Sequence, residues 1–79
     1  MVADSWGDLA NGVHCKLAAW NGGDNQQWRF NDAGNGRYQI INRGTGTALD
    51  SGGDTTIGSK VKLWRLDWSP NLQWNITAL

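Results

Sequence analysis

Asn25-Gln26-Gln27-Trp28 decides the fold, because the chain repeats this stretch in nearly the same form, 46 residues later, as Asn71-Leu72-Gln73-Trp74. Ten of the 33 residue pairs related by this offset are identical. They include Asp4-Ser5 with Asp50-Ser51, and Lys16-Leu17 with Lys62-Leu63. A fixed period of this length is typical of repeat architectures, in which one unit stacks on others because it cannot bury its own apolar face.

The segments between these repeated stretches predict short β-strands. Gly and Asn are abundant and all seven acidic residues are Asp, a composition that disfavours helix and favours turns. Val13, Cys15 and Leu17 alternate with polar residues, which predicts a half-buried strand with these three side chains on one face. Residues 31–36 predict a turn that ends in Asn35-Gly36. We expect an all-β chain of about seven strands.

The six tryptophans exceed what the core of so short a chain can hide. The alternation predicts that Trp28 and Trp74 point inward, together with Phe30 and Ile76. Trp64 has the opposite parity to its buried neighbour, so we expect it to be exposed.

The composition argues against several classes of function. The net charge is zero with no basic run, which disfavours nucleic acid as a partner, and no apolar run approaches the length of a membrane span. The single His and the single Cys, Cys15, leave no metal cluster, no cofactor ligands and no pair of nucleophile and base, so we expect a non-enzyme. Cys15 can form no disulfide within the chain and is expected to be a small buried apolar residue. No signal peptide is visible after Met1.

Several motifs in register resemble the ricin-type β-trefoil lectins, which are also grouped as a family of carbohydrate-binding modules. These motifs are the repeated Gln-x-Trp of residues 26–28, the run Tyr38-Gln39-Ile40-Ile41-Asn42-Arg43, the segment Ala48-Leu49-Asp50, and Val61-Lys62-Leu63-Trp64. In that family three repeats close one barrel.

The resemblance implies that residues 1–79 form a single partial trefoil domain, with repeat A at 2–36 and repeat B at 37–79. These are about 1.7 of the three units. We therefore expect completion by a homo-oligomer, or else a partial or rearranged barrel. The resemblance also implies secretion.

A sugar offers hydroxyl groups around its rim and a weakly apolar C–H face, so its site needs an aromatic plate beside hydrogen-bonding groups. The family's pocket uses an Asp after the second strand, an aromatic residue ending the third, and the Asn before Gln-x-Trp. In repeat B the resemblance assigns these roles to Asp50, Trp64 and Asn71. Leu72 stands where the family has a Gln that steadies the Asp. Asp50 has an alternative interpretation, in which it only caps the turn that follows it.

Repeat A matches the same pattern with Asp4, Asn25 and Gln26, but Ala18 stands at the aromatic position. Trp20 could replace that aromatic residue if its loop is rearranged. More generally, Trp6, Trp20 and Trp68 lie in predicted loops, where each could be a sugar platform or an oligomer contact. The resemblance therefore implies a carbohydrate-binding lectin module for galactose-type or xylan-type glycans. The alternative is an engineered or fragmentary β-repeat scaffold that assembles with itself and binds no ligand.

Overall fold

The computed structural model describes residues 1–53 and 60–75, and all regular structure there is β apart from two single turns of 3-10 helix. The strands are β1 Val2–Asp4, β2 Val13–His14, β3 Lys16–Ala18, β4 Trp28–Gly34, β5 Arg37–Asn42, β6 Thr47–Asp50, β7 Lys62–Arg65 and β8 Trp74–Asn75. The 3-10 turns are Asp24–Gln26 and Pro70–Leu72. The all-β prediction is confirmed. Within the described ranges, no helix is long and apolar enough to cross a membrane.

All strand pairs are antiparallel. The larger sheet has the order β2-β7-β6-β5-β4, with β8 also pairing with β5, and β1 pairs with β3 in a separate ribbon. The β4–β5 hairpin turns at Asn35 and Gly36, whose φ angles of 55° and 76° suit a tight two-residue turn. The predicted turn therefore occupies two residues rather than six, because β4 continues to Gly34 through a register shift after Asp32.

The predicted strand over residues 13–17 divides at Cys15. On one side β2 pairs with β7, and on the other β3 pairs with β1, so the chain passes between two sheets within three residues. Leu17 is consequently exposed, and the prediction that it shares a buried face with Val13 is wrong. Cys15 is half-buried, and this desolvation raises the pKa of its thiol.

The core is small. Ile41, Ala48 and Leu72 are buried together in one cluster, and Leu63, which pairs with Leu49 and not with Ala48, is buried on the opposite face of the sheet. Phe30 is 61% exposed, which contradicts its predicted inward position. It lies opposite Ile40, whereas the buried Ile41 lies on the other face of the same strand. Strand parity correctly separates the two faces, but it does not say which part of a face is covered, since Leu63 is buried while Phe30 is exposed.

Trp28 and Trp74, predicted to be core residues, are half-buried. Each indole N–H donates to a backbone carbonyl, from Trp28 to Ala3 and from Trp74 to Leu49, at 3.2 Å in both cases. Ile76, the other predicted core residue, lies outside the described residues.

Equivalent hydrogen bonds also recur at the 46-residue period of the sequence. The amide of Ser5 donates to the carbonyl of Asn25 at 3.0 Å, and the amide of Ser51 donates to that of Asn71 at 3.1 Å. The side chains of Gln27 and Gln73 likewise donate to the carbonyls of Gly22 and Trp68, both at 3.0 Å. The two serine bonds place the ends of β1 and β6 beside the first and the second 3-10 turn, respectively, and a cleft opens at each junction.

Candidate functional site

The later cleft brings together the three residues predicted for repeat B. Asp50 lies at the end of β6, Trp64 in β7, and Asn71 in the second 3-10 turn. All three line a cleft of about 410 Å³, together with Gly12, Gly52, Lys62, Ser69 and Leu72. This volume lies within the range of small-ligand sites.

Asp50 takes part in both the turn and the cleft. Its Oδ1 accepts a hydrogen bond of 2.7 Å from the amide of Gly52, the Asx-type turn considered in the sequence. The residue is only 7% exposed, yet it lines the cleft. The turn therefore fixes the direction of the carboxylate, so that a ligand does not have to order it.

Trp64 offers an aromatic surface at the wall of the cleft. It is 38% exposed, as its strand parity predicted, and its strand partner is the small Ala48. On the neighbouring loop Gly12 has a φ of 84°, and a Cβ built on it would lie 3.5 Å from the indole ring. Gly12 therefore lies beside the ring at the wall of the cleft.

Asn71 is positioned through its backbone. Its carbonyl accepts from the amide of Ser51 at 3.1 Å and from the hydroxyl of Ser51 at 3.4 Å. The side-chain amide lies beside Gly53, where a built Cβ would be 3.4 Å from Nδ2. The turn that carries Asn71 is thereby attached to the segment just after Asp50.

Two further polar residues line the later cleft and were missed from the sequence. Lys62 lies directly opposite Asp50 in the β6–β7 pair, and Ser69 precedes the second 3-10 turn. Lys62 could have been found, because a residue two positions from Trp64 shares its face of the strand. Ser69 carried no signal, since its place depends on a loop. The hydroxyl and amide of Ser69 donate to Asp67, and these bonds lower the pKa of that carboxyl group.

The earlier cleft contains Asp4 and Asn25 of repeat A. They line a space of about 340 Å³ together with Trp6, Ala18, Asn21 and Gly23. Asp4 Oδ1 accepts from the amide of Trp6 at 2.7 Å, which reproduces the turn at Asp50.

Gln26 supports the earlier cleft from behind and is not part of its lining. It is 5% exposed, and its Nε2 donates to Asp4 Oδ2 at 3.0 Å and to the carbonyl of Ala19 at 2.8 Å. Its Oε1 accepts from the amide of Asn21 at 2.8 Å. The Leu at the equivalent position 72 can make none of these side-chain bonds.

Trp20 does not line the earlier cleft, in contrast to its predicted role there. It is exposed, and its ring lies near Gly22. Trp6 occupies the rim instead, because the turn after β1 carries it there. The sequence allowed either loop tryptophan as a platform and did not favour Trp6, since position 6 corresponds to Gly52 in the other repeat.

The comparisons with known proteins agree with this geometry. The model of the ricin-type beta-trefoil lectin domain-like family matches twice, over residues 1–64 and 24–79. The chain belongs to the ricin-type β-trefoil lectin-like family. The two overlapping matches are what a chain with an internal repeat produces when the family model is itself built of repeats.

The fold of this lectin-like chain is similar to the crystal structure of a designed 3-fold symmetric protein, ThreeFoil. The two share 32% sequence identity and a TM-score of 0.88, and the match covers 99% of this chain and 56% of that chain. The chain therefore spans little more than half of that three-fold structure, as expected of a partial trefoil. A comparison with curated proteins found no match. Among residues 1–53 and 60–75, no group of three or more His, Cys, Asp or Glu side chains is placed to hold a metal ion.

Proposed function

We propose that this lectin-like chain is a non-catalytic carbohydrate-binding module and that the later cleft is its principal site. The observation that carries the proposal is the meeting of Asp50, Asn71 and the exposed Trp64 in one cleft. These side chains come from two strands and a 3-10 turn, and they supply a carboxylate, an amide and an aromatic plate.

In this proposal the C–H face of a sugar ring stacks on Trp64. The Asp50 carboxylate accepts hydrogen bonds from neighbouring hydroxyl groups, and such charge-assisted bonds are the strong ones. The Asn71 amide can donate and accept. Galactose-type and xylan-type glycans are the ligand classes that we propose, on the basis of the family.

Binding at a single open cleft is expected to be weak, with a Kd of about 0.1–10 mM, since few groups are desolvated. Useful strength then requires several copies of the site on one assembly. Each cleft has one carboxylate among its described lining residues, whereas glycoside hydrolysis ordinarily needs two. This supports binding without catalysis.

A glycan array followed by calorimetric titration of the best ligand tests the proposal. The Asp50→Asn variant keeps an oxygen for the bond from Gly52 but loses the charge, and Trp64→Ala removes the plate. We expect each to weaken binding at this cleft roughly tenfold or more. Trp68→Ala is the matched control, because Trp68 is exposed and does not line the cleft. Equal affinity in all three variants would reject the site.

We also propose that the module forms a homo-oligomer and is secreted, as the family resemblance implies. The exposed Phe30 on β4 supports self-association, because a partner could cover this face of the sheet. Sedimentation of the wild type and of Phe30→Ser tests it, and a monomer in both would refute it. The similarity to a designed protein is compatible with the alternative of a self-assembling scaffold without a ligand. A discrete oligomer that binds no glycan would favour that alternative.

A further inference from the structure

Trp6 has a backbone conformation that disfavours its own side chain. Its φ is 59°, and the equivalent residue of the other repeat, Gly52, has a φ of 67°. A bulky residue in this left-handed region is strained, whereas glycine adopts it freely. Both residues donate their amide at 2.7 Å to the Asp two positions earlier, so the turn itself needs no tryptophan.

Burial in the core does not explain the tryptophan at position 6 either. It is 61% exposed, and it lines the earlier cleft beside Asp4 and Asn25. The Lys16 ammonium lies 4.7 Å from the centre of the ring, close enough for a cation–π contact. Lys16 does not line the cleft, so this contact holds the ring in place without occupying the binding space.

We propose that Trp6 is the saccharide-stacking platform of the earlier cleft, which makes this cleft a second sugar site. The inference rests on the proposed function for the class of ligand. At the position of Trp64 the earlier repeat has Ala18, whose small side chain lines the cleft. In the earlier repeat the aromatic side chain thus lies on the turn directly after Asp4, whereas in the later repeat it lies on strand β7.

The hydrogen-bonding groups of this second site are already ordered. Gln26 donates to Asp4 Oδ2 at 3.0 Å, and the amide of Trp6 donates to Oδ1 at 2.7 Å. The carboxylate is thereby fixed in direction beside the ring, and Asn25 supplies an amide to the same space. Trp6 lies two residues after Asp4 in the chain, whereas Trp64 lies on the strand that pairs with the strand of Asp50. A sugar therefore stacks in the earlier cleft in a different orientation from that in the later cleft.

Fluorine NMR of protein labelled with 5-fluorotryptophan tests the proposal, since the six tryptophans can be assigned one by one by substitution. Lactose and xylotriose are the probes. With one of them, we expect the Trp6 resonance to shift as the sugar is added, while the resonance of Trp20, exposed to the same degree, does not. The shift should persist in Trp64→Ala, in which the later cleft is disabled.

The variants Trp6→Gly, Trp6→Phe and Trp20→Ala are made in the Trp64→Ala background. We expect Trp6→Gly to weaken the remaining binding roughly tenfold or more, Trp6→Phe to retain part of it, and Trp20→Ala to leave it unchanged. The melting temperature of Trp6→Gly should stay within about 4 °C of its parent, because relief of strain offsets the loss of the Lys16 contact.

The outcomes separate the second site from the principal one. Binding at the later cleft with no response at Trp6 overturns this proposal and leaves the proposed function standing. Binding at Trp6 alone supports it and rejects the later cleft. Absence of binding to either probe in both clefts overturns the second site. Unchanged binding together with a fall of more than about 10 °C in Trp6→Gly would show that Trp6 has only a structural role.

Discussion

Replacing Gln26 with Leu should destabilise the protein, although Leu is what the other repeat has at the equivalent position. The substitution removes a bond to the buried carboxylate of Asp4 and bonds to two backbone groups, the carbonyl of Ala19 and the amide of Asn21. A hydrogen bond to a charged group contributes about 1.5–3 kcal/mol, and each neutral bond contributes about 0.5–1.5 kcal/mol.

The new Leu side chain recovers part of this loss. Burying a Leu side chain contributes about 1.5–3 kcal/mol, so the net destabilisation is about 2 kcal/mol. For a domain of this length that is a fall in melting temperature of roughly 8–16 °C. At Leu72 the apolar side chain belongs to a core cluster with Ile41 and Ala48, which is why the same residue type is favourable there.

Thermal and urea unfolding followed by circular dichroism measure the change, and Gln27→Leu is the matched control. Gln27 bonds to the exposed Gly22 and Arg43, so the same substitution there should cost less than about 1 kcal/mol. Gln26→Leu should also weaken sugar binding at the earlier cleft, because Asp4 loses a bond that directs it. If Gln26→Leu is as stable as Gln27→Leu, the hydrogen bonds of Gln26 do not contribute as reasoned.

Three further predictions concern the segments that support the earlier cleft. Asn42→Ala should lower the free energy of unfolding by about 3 kcal/mol in urea titrations. The side-chain nitrogen of the buried Asn42 donates to the carbonyl of Asn25 at 2.7 Å, and its side-chain oxygen accepts from the amides of Gly44 and Thr45, so the substitution removes all three bonds. Gly44→Ala should weaken binding at the earlier cleft and spare the later one, since its new methyl group would collide with the Asn25 side chain; equal loss at both clefts in the fluorine titration would contradict this. Cys15 should react with iodoacetamide at pH 8 more slowly than the same thiol in urea, because burial raises its pKa in the folded protein; equal rates would refute this.

Much of the fold follows from the repeat. The stretch around Trp28 and its copy around Trp74 predicted a repeat architecture, and the resemblance to the lectin family implied that the Asn, Asp and aromatic residues of repeat B share one cleft. The alternation at Val13, Cys15 and Leu17 was less informative, because the strand leaves one sheet for another at Cys15. An alternating pattern reports which side chains share a face, and it contains no information about a change of partner strand.

Candidate platforms were harder to predict than candidate hydrogen-bonding groups. Asp4 and Asp50 recur at the same place in both repeats, so their positions could be transferred from one to the other. Trp6 and Trp20 have no aromatic counterparts at positions 52 and 66, and only the path of the turn shows that Trp6 reaches the cleft and Trp20 does not.

By itself, the sequence determined that the chain is all-β, that it is duplicated, and that each copy has a carboxylate and an amide at corresponding places. These properties are local or periodic, so they can be read directly from the amino-acid sequence. Only the tertiary structure decided that Phe30 is exposed, that Lys62 and Ser69 join the later cleft, and that Gln26 lies behind Asp4. Burial and the lining of a cleft depend on which segments pack together, and that is a collective property of the whole fold.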